Sequence, residues 1–134
     1  MSNNMILLVD DEPAYHAIVE ALLAKAGIPF HGVRDAPAAF QAVREHHYDL
    51  ILMDIRMAGI SGFRGAAHIR SASEWTRNVP IIAFTALDPP DGVSHFIARG
   101  FSGWLKKPFD AEAFEAMLSR WLSPAPHGRA SKVG

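Results

Sequence analysis

Thirteen Lys and Arg residues against fourteen Asp and Glu residues give this chain of 134 residues a formal net charge of -1, which argues against a broad electrostatic footprint for nucleic acid. The length suits one domain with a real core and is too short for two, and zero cysteines exclude a disulfide framework, a thiolate nucleophile and a Cys-based zinc site. Met1-Ser2-Asn3-Asn4 lacks the basic and apolar regions of a signal peptide and no apolar run is long enough to span a membrane, so a cytoplasmic protein with no membrane partner is expected.

Met5-Ile6-Leu7-Leu8-Val9 is a short apolar run that ends in three acids, Asp10-Asp11-Glu12, before Pro13. Proline is tolerated in the first helical turn, and Ile18, Ala21 and Leu22 then recur at helical spacing toward Ala26-Gly27. Phe30 to Val33 form a weaker strand, followed by Asp35 as N-cap and a helix carrying Phe40 and Val43 toward His46-His47. Leu50-Ile51-Leu52-Met53 then runs straight into Asp54, the pattern of a strand covered by helices on both faces. Gly59, Ser61 and Gly62 make a turn, and Phe63 to Ser71 suit a helix weakened by Gly65. Pro80 to Phe84 is a fourth strand ending at Thr85-Ala86, after which Pro89-Pro90 delays a helix with Val93, Phe96 and Ile97 inward and Gly100 as its stop. Ser102 to Leu105 is a fifth run, ending at Lys106-Lys107-Pro108. The last helix starts near Asp110 and aligns Phe114, Met117, Leu118, Trp121 and Leu122 in one stripe. From Ser123 the chain has no period, so residues 1–122 are expected to form the domain and 123–134 a disordered tail.

Five strands alternating with five helices predict an α/β, doubly wound parallel sheet, with the flavodoxin-like strand order 2-1-3-4-5. In such a sheet ligands sit beyond the C-terminal strand edges, where strand order reverses. Asp10, Asp11, Asp54, Thr85 and Lys107 all fall at that edge. Three carboxylates in one crevice repel by about 4 kcal/mol per pair at about 4 Å in an effective dielectric near 20, so they call for a counter-charge. Mg²⁺ fits, because it takes one or two carboxylates plus waters and a phosphate. With Lys107 holding one phosphate oxygen and the Thr85 hydroxyl another, the set describes phosphoryl transfer with Asp54 as nucleophile. Each residue taken alone has a plainer reading: Asp54 as a turn residue, the acidic run as a helix cap, Thr85 and Lys107 as structural or surface groups.

The set Asp10-Asp11, Asp54, Met57, Gly62, Thr85-Ala86 and Lys107-Pro108-Phe109 resembles the receiver domain of response regulators, the CheY-like family, over residues 5 to 122. The resemblance implies Asp54 as phosphoacceptor from a sensor histidine kinase or a histidine phosphotransfer protein. It implies Mg²⁺ on Asp11, Asp54 and the main-chain carbonyl of Arg56, with Asp10 acting through water. It also implies that Lys107 and Ala86 contact the phosphoryl group, that Thr85 and Trp104 act as switch residues, and that the Lys107-Pro108 bond is cis, which roughly 5% of X-Pro bonds are. Output is then a protein-interaction surface with a downstream protein target, and the domain is a phosphoacceptor with slow self-dephosphorylation rather than an enzyme.

Ala58 stands where the family commonly has Pro, and Ser61 where it commonly has Asp. Both loosen the loop after Asp54, while Pro89-Pro90 restricts the loop after the fourth strand. A stand-alone response regulator without DNA-binding output is expected. A receiver fragment of a hybrid histidine kinase, a small aspartyl-phosphate phosphatase and a phosphorylation-independent interaction module are the alternatives.

Overall fold

The structure, a computed structural model, describes residues 5–57, 59–86, 88 and 92–122. The tail from Ser123, Ala58 and Pro89-Pro90 lie outside the described residues, as does the Val93 side chain.

Strands β1 (Ile6–Val9), β2 (Phe30–Val33), β3 (Leu50–Asp54), β4 (Ile81–Thr85) and β5 (Gly103–Lys106) alternate with helices α1 (Pro13–Ala26), α2 (Ala36–Glu45), α3 (Gly62–Arg70), α4 (Val93–Ala98) and α5 (Ala111–Trp121). Every pairing is parallel and the order is β2-β1-β3-β4-β5, the topology predicted from the alternation of elements. Side chains alternate along each strand, so the continuous apolar runs divide between two cores. Leu7, Val9, Ile51, Met53, Ile81 and Ala83 face one layer with Val43, Ala66, Ile69 and Phe96. Ile6, Leu8, Leu50, Leu52, Ile82 and Phe84 face the other with Val19, Leu23, Phe114 and Met117. Fully burying one such side chain contributes roughly 1.5–3 kcal/mol, which makes the central strands the rigid base of the site at their ends.

The predicted caps form. Asp35 accepts from Ala38 N and Asp110 from Ala113 N, both at 2.8 Å, and Gly27 ends α1 in the left-handed region at φ 71°. Gly65 faces the Met53 side chain, and an added Cβ would stand 3.4 Å from its sulfur, in ordinary van der Waals contact.

The structure departs from the sequence pattern at three places. In α1 the buried residues are Val19 and Leu23, with Leu22 at the margin, whereas Ile18 is 41% exposed and Ala21 faces solvent. Apolar residues ring this helix, and stripes one residue apart differ by about 100° of rotation, so spacing alone does not choose between them. In α4, Phe96 is buried but Ile97 is 56% exposed. The helix has six residues and inserts one ring, Phe96, among Phe63, Phe101 and Trp104. His46 and His47 are not helical, since α2 stops at Glu45 and His46 is extended at φ -136°. The His46 ring lies 4.7 Å from that of His31, and the His47 ring 4.3 Å from that of Trp75.

A 3-10 turn, Trp75–Arg77, precedes β4 without a periodic signal in the sequence. It is held by Arg70, whose guanidinium donates to the carbonyls of Thr76, Arg77, Val79 and Gly100 and to the Ser102 hydroxyl. Burial lowers the Arg70 pKa. Five acceptors from two stretches of chain, 76–79 and 100–102, replace the water that the charge gives up.

Gly62, the first residue of α3, sits against the back of the Asp54 loop. Its N–H donates to Ile55 O at 2.9 Å, and an added Cβ would collide with the Asp54 carbonyl oxygen and stand 2.7 Å from Ile55 Cα. Both neighbours are backbone and cannot turn away. Gly62→Ala is therefore expected to destabilise the fold by about 1–3 kcal/mol in urea denaturation, and an unchanged midpoint would show that the loop yields.

Candidate functional site

The alternation that divides the core also gathers the polar residues. Asp54 follows Leu50 and Leu52 on the α1/α5 side of the sheet, Asp10 follows Ile6 and Leu8 on the same side, and Lys107 follows Leu105. Val9 pairs with Met53 in register, so the next residues along, Asp10 and Asp54, sit beside each other on the two central strands. Thr85 ends β4 on the opposite side with Ala83, one step along from the Ala83–Trp104 pair. The two predicted switch positions, Thr85 and Trp104, thus share the α4 side.

Asp10, Asp54, Thr85 and Lys107 are all buried. The Lys107 ammonium lies 2.8 Å from Asp10 Oδ2, 2.9 Å from Glu12 Oε1 and 3.8 Å from Asp54 Oδ2. The contact with Asp10 is an ion pair without good hydrogen-bond geometry, and Asp10 Oδ1 accepts from Glu12 N at 2.9 Å. Behind it, His16 Nε2 meets the Asp10 carbonyl oxygen at 2.6 Å. Arg56 N donates to Asp54 Oδ1 at 3.2 Å. The Tyr15 ring lies under the ammonium, 4.2 Å from Nζ to centroid, and its own neighbour is Phe109, which packs on Phe84 and Phe114.

An aromatic floor beneath charged groups has a direct electrostatic consequence. Burial, with the Asp10 charge next, pushes the Asp54 carboxyl from 3.8 to about 6; Lys107 and the Arg56 amide oppose the rise and Asp11 adds to it. For Lys107 burial pulls the pKa down, but the close contacts with Asp10 and Glu12 and the charges of Asp10 and Asp54 outweigh it and the net direction is up. Lys107 is therefore a permanent cation and Asp54 a carboxylate destabilised by its surroundings.

These groups open onto a cleft of about 300 Å³ lined by Asp11, Glu12, Asp54, Arg56, Thr85, Ala86 and Lys107. The three carboxylates whose oxygens lie within 4.8 Å of one another are Asp10, Glu12 and Asp54; Asp11 lines the same cleft without joining that trio. Lys107 explains the difference, because it draws Asp10 and Glu12 together. The oxygen-only donor set and the excess of carboxylates fit a hard divalent cation such as Mg²⁺. Trp104 is partly buried, with its ring 6.0 Å from that of Phe96 and its indole N–H buried without a hydrogen-bond partner among the described residues. The Lys107-Pro108 bond is cis. Glu12, Tyr15 and His16 were not singled out from the sequence, although Glu12 was visible as the third member of the acidic run.

The sequence profile of the response regulator receiver domain matches residues 6–119. The chain belongs to this receiver family. Receiver domains of this kind are phosphoacceptors of two-component signalling rather than enzymes in the ordinary sense. Among solved structures, the chemotaxis protein CheY4 of Vibrio cholerae superposes with a TM-score of 0.84 at 28% identity, covering 90% of this chain and 100% of that one. The receiver domain of a Pseudomonas aeruginosa sensor histidine kinase, solved with a magnesium ion coordinated in its active-site cleft, is 34% identical with a TM-score of 0.79, covering 90% of this receiver and 98% of that chain. Among curated proteins, the sensor protein GacS of Pseudomonas syringae is 33% identical over 90% of this chain and 14% of its own length. The uncharacterized transcriptional regulatory protein YrkP of Bacillus subtilis is 33% identical over 84% of this chain and 47% of its own. The receiver thus spans less than half of either curated relative.

Proposed function

We propose that this receiver accepts a phosphoryl group on Asp54 from a phosphohistidine of a sensor histidine kinase or histidine phosphotransfer protein. A buried carboxylate at the end of β3, facing a lysine across a cleft rich in acids, carries the reading. An Asp54 carboxylate oxygen attacks phosphorus in line, an O–P bond forms, the N–P bond breaks, and the electron pair leaves with the imidazole. Asp11, Asp54 and the Arg56 carbonyl would hold Mg²⁺, with Asp10 acting through water. Bound there, the ion supplies positive charge against the carboxylates and the phosphoryl oxygens. Lys107 and the Ala86 N–H meet the phosphoryl oxygens, and the Thr85 hydroxyl turns toward them.

Phosphorylation adds charge and acceptor oxygens beside Thr85, on the face that carries Trp104 and α4. The unpaired Trp104 N–H supports a side chain whose present position no hydrogen bond fixes. Output is a changed protein-binding surface near α4 and β5, presented to a downstream protein target in the cytoplasm. Relatives among both sensor kinases and transcriptional regulators support a place between a phosphohistidine and an output.

Intact mass after incubation with Mg²⁺ and acetyl phosphate tests the reading. A phosphoryl adduct is expected on the wild type and not on Asp54→Asn, and a fluorescence change on activation should vanish in Trp104→Phe. No adduct on the wild type would overturn it in favour of a phosphorylation-independent module. Arg56 stands exposed on the cleft wall two residues past the acceptor. Arg56→Ala and Arg56→Asn are expected to shift the acyl phosphate lifetime severalfold, and decay rates equal to wild type would remove that role.

A further inference from the structure

We infer that Glu12 is a positioning residue that restrains Lys107 in the unphosphorylated protein and releases it when the ammonium engages a phosphoryl group on Asp54. The inference rests on the phosphoacceptor reading and adds a residue to its machinery.

Local structure gives no reason for this side chain to lie where it does. Glu12 occupies the N-cap position of α1, yet it makes no capping hydrogen bond, and Pro13 follows it without an N–H. The turn is closed instead by Asp10, which accepts from Glu12 N. The freed Glu12 carboxylate reaches Lys107, 95 residues away in sequence, and accepts from Nζ at 2.9 Å.

The two close partners of Lys107 differ in what losing the ammonium does to them. The Asp10 side chain is 0% exposed, so its Oδ2 would be left buried and unpaired. The Glu12 side chain is 56% exposed, so its carboxylate passes into water at little cost. An ammonium has three protons and no acceptor. The close partners are Asp10 and Glu12 at 2.8 and 2.9 Å, with Asp54 at 3.8 Å and the Tyr15 face at 4.2 Å from Nζ to centroid, so a shift of Nζ toward a phosphoryl oxygen on Asp54 draws it away from a present partner. Glu12 is the partner that can leave, and it stands at the mouth of the same cleft.

The test is beryllofluoride binding at saturating Mg²⁺, read by ¹⁹F NMR on the full chain, with Mg²⁺ affinity measured separately. Glu12→Gln is expected to tighten beryllofluoride binding roughly two- to fivefold, the range of an exposed ion pair, and to change Mg²⁺ affinity less than about threefold. Glu12→Asp keeps the charge but shortens the reach to Lys107, and it should behave like Glu12→Gln. Wild-type behaviour of Glu12→Asp would mean that Glu12 merely repels the anion, and would overturn the inference. So would unchanged beryllofluoride affinity in Glu12→Gln, or a loss of Mg²⁺ affinity of about tenfold or more, which marks a metal-site role. In a Lys107→Met background the gain from Glu12→Gln should disappear, and its persistence would count against restraint. If the wild type binds no beryllofluoride, the phosphoacceptor reading itself falls, whatever Glu12 does.

Discussion

Asp54→Asn is expected to stabilise the magnesium-free protein at pH 7.5 by about 3 kcal/mol, because a folded-state pKa of about 6 against an ordinary 3.8 is a shift of roughly two units at about 1.4 kcal/mol each. The sign follows from proton binding. Between these two values the folded state holds more protons on Asp54 than the unfolded state does, so the wild type loses stability as pH rises through this window. Asparagine carries no charge to desolvate, and its side-chain oxygen can still accept from Arg56 N as Asp54 Oδ1 does. The variant's advantage should therefore be nearly absent at pH 3.5, grow through pH 5, and level off above pH 7 in urea denaturation. Added Mg²⁺ should raise the wild-type midpoint and leave the variant nearly unmoved, since a ligand stabilises only the state that binds it. An Asn variant no more stable than wild type at pH 7.5 would mean that Lys107 already balances the buried charge. Stability given up at this carboxylate is what the proposed acceptor and cation site would require, since Mg²⁺ or a phosphoryl group bound there would relieve the strain.

The frame of the fold was legible because its signals are local. A continuous apolar run followed by one carboxylate marks β3 and Asp54, and the caps at Asp35 and Asp110 need only their own helices. Sequence order then placed Asp10, Asp54, Thr85 and Lys107 at one edge, since all strands run parallel. Side-chain rotation was not legible: Val19 rather than Ile18 faces the sheet in α1, and Ile97 turns outward beside a buried Phe96. Neighbouring apolar residues make the stripe ambiguous until the opposing surface is known. Long-range polar pairs were invisible for another reason. Arg70 serves backbone carbonyls of Thr76, Arg77, Val79 and Gly100, and carbonyls carry no residue signature. Glu12 reads as a cap from its neighbours, and only the folded chain brings it to Lys107.

Lys107→Met is expected to lose about 3–5 kcal/mol at pH 8, the cost of removing one partner from a buried ion pair. Methionine fills much of the space and keeps contact with the Tyr15 ring, so the loss is electrostatic rather than a cavity. Asp10 and Asp54 would then face each other across the two central strands with no ammonium between them. The Asp54 pKa would rise further above its unfolded value, and the folded state would take up protons as pH falls. The deficit should thus shrink steadily from pH 8 toward pH 5. A deficit that stays constant with pH would assign the loss to packing. Asp10→Asn in the same background should recover most of the stability at pH 8, because it removes the repulsion that Lys107 had held in check. Recovery in the double variant without recovery of phosphoryl acceptance would separate the two duties of the lysine. In the resting protein it neutralises buried carboxylates; under the proposed function it would also hold the group that Asp54 receives.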